Sequence, residues 1–89
     1  MNGKSICDHR RVLDLARSGD WEGAHATVQV HSDSLSCLIH GYLHRVEGDL
    51  GNASYWYGRG GSKLTTNPLD DEWERLSRAV DAKRGRIAD

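Results

Sequence analysis

The 89-residue sequence has no phenylalanine, a single proline (Pro68) and only two cysteines, Cys7 and Cys37. Two thiols do not make the disulfide framework of a small secreted domain, so both are expected to be free. No Val/Ile/Thr-rich alternating run is present, which leaves β-strands unsupported. Charge of one sign is lacking too: 12 Lys and Arg against 13 Asp and Glu leave a net charge of −1. That balance excludes a general nucleic-acid binder and removes the electrostatic case for a membrane-surface protein. Long hydrophobic runs are missing as well. The central Leu38-Ile39 stretch is broken by His40, so no bilayer-spanning segment is expected. The opening Met1 to Arg10 holds no apolar run of signal-peptide length, so the expected location is cytoplasmic.

What is present is helical periodicity. We expect a single all-α domain over residues 1–89, with a thin core because short chains bury little of their surface. Ile6, Val12, Leu13 and Ala16 outline a first helix ending near Ser18-Gly19. Asp20 caps a second, with Trp21, Ala24 and Val28 on one face. A turn at His31 to Ser34 leads to the clearest stripe, Leu35, Leu38, Ile39, Tyr42, Leu43 and Val46. Gly48 closes that third helix. Asp49 caps a fourth with Leu50, Ala53 and Tyr57 inward, and the glycines at 58, 60 and 61 end it. Pro68 opens a fifth helix, about Leu69 to Ile87, with Asp70, Asp71, Glu72 and Glu74 early and Lys83, Arg84 and Arg86 late.

An internal echo ties these elements together. Gly19-Asp20-Trp21-Glu22-Gly23-Ala24 matches Gly48-Asp49-Leu50-Gly51-Asn52-Ala53 at an offset of 29 residues. In each copy an alanine follows the aspartate by four positions, small enough to let two antiparallel helices approach closely. The expected architecture is therefore two antiparallel helical hairpins plus a C-terminal capping helix. Residues 37–57 resemble a tetratricopeptide-type hairpin, with Gly41 on the pattern's glycine, Ala53 on its alanine and Tyr57 on the following aromatic. Cys37, His40 and His44 stand where that pattern prefers Trp, Leu and Tyr, and the repeat is shorter than its usual length of about 34 residues. Residues 25–61 are also similar to a family of small uncharacterised bacterial proteins. The string His40-Gly41-Tyr42-Leu43-His44-Arg45-Val46-Glu47-Gly48-Asp49, followed by Asn52-Ala53 and Tyr55-Trp56-Tyr57, carries that resemblance. It implies the helical fold and no activity.

Two constellations carry chemistry. His40 and His44, one helical turn apart, would stand one above the other, with Glu47 three residues on. Two imidazoles and a carboxylate at this spacing suit a divalent metal, and His25 on the second helix could support them. The competing expectation is that both are packing residues, hydrogen-bonded to Asn52, Tyr55 or a backbone carbonyl. Trp21 and His25, at i and i+4, form either a pocket wall or a half-exposed aromatic contact. Cys37, three residues before His40, reads as a small buried hydrophobe rather than a nucleophile, because no oxyanion donor is identifiable. The second constellation is Tyr55-Trp56-Tyr57 with Arg45 and Arg59 nearby, a patch of the kind found at binding hot spots. The alternative is that Trp73, Leu76 and Val80 of the last helix cover it.

The leading expectation is a non-enzymatic protein-protein interaction module. It would bind a protein or peptide partner, or a second copy of itself, through Tyr55, Trp56, Arg59 and Arg45. The alternative is a small metal- or ligand-binding protein, conceivably an enzyme, built on His40, His44, Glu47 and His25. Beyond a divalent metal at that cluster, no cofactor is expected.

Overall fold

The computed structural model describes residues 6–88, with side chains described as far as residue 83. The start of the chain and the side chains of Arg84 and Arg86 therefore lie outside the described residues. Five helices follow in order: α1 (His9–Arg17), α2 (Trp21–Val28), α3 (Ser34–Val46), α4 (Leu50–Arg59) and α5 (Leu69–Ala88). No strand occurs among the described residues, and no helix is long and apolar enough to cross a membrane.

Each of the first four helices starts on an aspartate. Asp8, Asp20, Asp33 and Asp49 accept from the backbone N–H groups of Arg11, Gly23, Ser36 and Asn52, satisfying donors that a helix N-terminus leaves unpaired. The ends of α1 and α3 share one device. Gly19 and Gly48 take φ of +92° and +86°, a region that only glycine enters without strain. The next residue then bonds back five positions, Asp20 N–H to Leu15 O at 2.9 Å and Asp49 N–H to His44 O at 2.8 Å. This closes the helix and caps its successor within two residues.

The chain then folds as paired helices, α1 against α2 and α3 against α4, with α5 laid across α1 and α3. Helix α3 is central, packing on the other four. Gly41 explains how closely α4 approaches: a Cβ there would stand 2.8 Å from the Tyr57 ring and 3.1 Å from the Ala53 carbonyl. Val12, Leu13, Ala24, Val28, Ile39, Leu43, Leu76 and Val80 form the core, with Cys7 and Tyr42 at its margin.

Three expected core positions lie outside it. Ile6 precedes the α1 cap and is exposed, so α1 begins later than its apolar pattern suggests. Val46 and Leu50 flank the Gly48 turn at the end of the hairpin and are exposed. Trp73 does not cover the aromatic patch. Its indole N–H donates to Leu13 O at 3.0 Å, and the Arg17 guanidinium sits 4.1 Å over its ring, so α5 presents this face to α1.

Candidate metal centre

The α2–α3 packing brings three histidines together. His25 projects from α2, and His40 and His44 from successive turns of α3. One ligand atom from each lies within 4.8 Å of the others. The Nε2 atoms of His25 and His40 are 3.1 Å apart. Without an ion this contact is a hydrogen bond from one imidazole to the other. Two nitrogens on one tetrahedral zinc ion stand about 3.3 Å apart, so an ion would take the place of the shared proton at a similar separation.

Aromatic rings hold the imidazoles in place. Trp21 stacks on His25 with centroids 4.7 Å apart, and its N–H donates to the Leu43 carbonyl at 2.6 Å, pinning it to α3. Trp56 of α4 stacks on His40 at 3.9 Å, and His40 in turn stacks on His44 at 5.0 Å. His25 meets both α3 imidazoles edge-on. The cluster is thus clamped between two tryptophans from helices on opposite sides of α3.

Hydrogen bonding defines which nitrogens are available. Glu47 Oε2 lies 2.7 Å from Nδ1 of His44. A carboxylate only accepts, so His44 donates from Nδ1, and Nε2 of the neutral ring keeps its lone pair. Metal-bound histidines are characteristically oriented by such a carboxylate. His40 is 3% exposed, and its Nδ1 has no partner among the described residues. Burial, reinforced by the neighbouring imidazoles of His25 and His44, lowers the His40 pKa to about 4. Burial and then His44 lower that of His25, with Glu47 opposing. Both are neutral at pH 7, the form in which imidazole binds a metal.

His25, His40 and His44 therefore form one group. Glu47 is bonded to His44 and belongs to a second group, His44, Glu47 and Asp49, whose carboxylates are exposed. Asn52 and Tyr55, expected as partners of the α3 histidines, bond elsewhere, Asn52 to Asp49 and Tyr55 to Arg59. Cys37 is turned away from His40, its thiol donating to the Ser32 carbonyl at 3.6 Å. Of the patch residues, Tyr55 is exposed, and the Arg59 guanidinium lies 5.9 Å from its ring centroid and 5.1 Å from that of Trp56. Arg45 stands apart from them, donating to Thr65, the Asn67 side chain and the Asn67 carbonyl.

Two polar networks escaped the sequence reading. Asp33 accepts from the Ser36 hydroxyl at 2.6 Å and from His9 Nε2 at 3.0 Å, joining α1 to the start of α3. Only the turn at His31 to Ser34, whose Ser or Asp reads as a cap for the next helix, hinted at this. Glu72, fully buried, accepts from Tyr57, Asn67 and twice from Arg75. Nothing in its place among the early acids of α5 marked it out. Two surface depressions, of about 510 and 400 Å3, lie against α1, and neither is lined by the three histidines.

Compared with protein-family models, with curated proteins and with solved structures, the chain matches none. The reading of this centre therefore rests on its own geometry.

Proposed function

We propose that this protein is a small helical binding protein for a first-row divalent metal ion, held by His25, His40 and His44. One observation carries the reading: three imidazoles from two helices bring ligand atoms within 4.8 Å of one another. Two features support it. Glu47 sets the tautomer of His44. Nitrogen donors without thiolate favour zinc, copper or nickel over calcium or magnesium.

The test is elemental analysis of untagged protein purified without chelator, followed by zinc titration with melting curves before and after EDTA. One metal per chain, and a melting temperature that falls on chelation, is expected. Protein that takes up no zinc and melts identically with and without it overturns the reading.

A second reading, the interaction module, is favoured by the pairing of exposed Tyr55 with Arg59 beside Trp56. Tyr, Trp and Arg are the residue types that dominate binding hot spots. The resemblance of residues 37–57 to a tetratricopeptide-type hairpin points the same way. Under this reading Tyr55→Ala and Arg59→Ala weaken a partner complex or a homodimer while leaving metal uptake unchanged. Identical sedimentation and partner capture by wild type and both variants would exclude it.

A further inference from the structure

A zinc-like ion takes four ligands, and the three imidazoles supply three. Among the described residues no fourth His, Cys, Asp or Glu joins the group formed by His25, His40 and His44. Glu47 is the nearest candidate by sequence, but its carboxylate is 2.7 Å from Nδ1 of His44. The two nitrogens of an imidazole diverge, so a carboxylate on Nδ1 stands behind the ring from an ion bound at Nε2. The Leu43 carbonyl is already taken by the Trp21 N–H. Trp21 and Trp56 otherwise present ring faces, which offer no lone pair to a metal. The protein thus provides three donors and a largely apolar wall.

Resting on the metal reading above, we propose that the ion bound by His25, His40 and His44 keeps one exchangeable coordination position, and that this position takes a small anion. The preference follows from charge. Three neutral imidazoles add no charge to the dication's coordination sphere, and the carboxylates of Glu47 and Asp49 stand outside it beside His44, so an anion in the fourth position is the only charge directly bound to the ion. His25 is only half-buried, so the centre is approachable from its side. Three histidines with an open fourth position are the donor set of catalytic rather than structural zinc, where bound water ionises near pH 7.

Cobalt(II) in place of zinc makes the coordination visible, and azide serves as the probe anion. Wild-type protein loaded with one cobalt is expected to show the visible absorption of a tetrahedral ion. Azide should shift that band to saturation without releasing the metal. Glu47→Gln should weaken cobalt affinity by about 10- to 100-fold yet keep the azide response, because the side chain orients His44 from behind. Cobalt bound with a spectrum indifferent to azide overturns the open position and leaves the metal reading standing. A response seen only in Glu47→Gln also overturns it, since Glu47 would then be the fourth ligand. Failure to bind cobalt at all overturns the metal reading, and this inference with it.

Discussion

His40 and Asp33 show how differently two polar side chains can be accommodated in one small protein. His40 is buried with Nδ1 unpartnered among the described residues, an arrangement that costs stability. His40→Leu removes that orphan at little change in volume. We expect the metal-free variant to be as stable as wild type, or more stable by about 1 kcal/mol, by urea denaturation. Its zinc-induced stabilisation should vanish in the same experiment. Asp33 is the opposite case. Burial pushes its carboxyl pKa up, but hydrogen bonds from the Ser36 hydroxyl and backbone N–H and from His9 outweigh this and hold it at about 2, against 3.8 in the open chain. A folded-state pKa below the unfolded one contributes stability above the unfolded value, and that contribution is lost as pH falls. Asp33→Asn retains a capping oxygen but loses the charge. The variant should be less stable than wild type at neutral pH, with the difference shrinking between pH 4 and pH 2, followed by denaturation at stepped pH. Both residues were visible in the sequence only in part. Asp33 could be read as a cap, but its bond to His9 spans 24 residues and has no local signature.

At the scale of helices, the contacts between them set the geometry of the centre. Gly41 sits against Tyr57 and the Ala53 carbonyl, and Trp56 precedes Tyr57 on the same helix. The close approach that Gly41 permits therefore also brings Trp56 onto His40. Gly41→Ala should push α4 outward, costing about 1–3 kcal/mol by thermal or urea unfolding. It should also weaken zinc binding, because the Trp56 clamp moves with α4. The same Tyr57 also depends on Glu72. This buried carboxylate accepts from Tyr57 and Asn67 and pairs with Arg75, joining α4, the 60–68 loop and α5. Burial raises its pKa, but hydrogen bonds from Arg75, Asn67 and Tyr57 bring it below the ordinary glutamate value. Glu72→Ala leaves Tyr57 and Asn67 without their acceptor, while the half-exposed Arg75 turns to solvent, and is expected to cost about 1–3 kcal/mol in urea unfolding. Helix positions and the Asp20 and Asp49 caps were legible from periodicity and turn residues, because both are local. The exposure of Val46 and Leu50 was not, because burial depends on what lies opposite a helix face.

For the whole molecule, the consequence of a metal at this centre is mechanical coupling between α2 and α3. Helix α2 is eight residues long and buries only Ala24 and Val28, so little besides packing and Trp21 retains it. An ion joining His25 to His40 and His44 would hold α2 on the centre of the fold. Zinc should therefore slow amide hydrogen exchange in α2 by a larger factor than in α5, as mass spectrometry of the exchanged protein would resolve. Equal slowing in both helices would place the effect elsewhere. The sequence by itself determined the all-α class, the five helices, the aspartate caps of α2 and α4 and the glycine ends of α1 and α3, since each follows from periodicity or a turn preference within a few residues. It also singled out His40 and His44, which one helical turn places side by side. Only the tertiary structure decided that His25 joins them, that Glu47 stands behind His44, and that Trp56 rather than a residue of α5 covers His40. These pairings are set by how far helices approach and how they rotate about their axes. That depends on core side chains far apart in the chain, Gly41 against Tyr57 above all, and no local pattern encodes it.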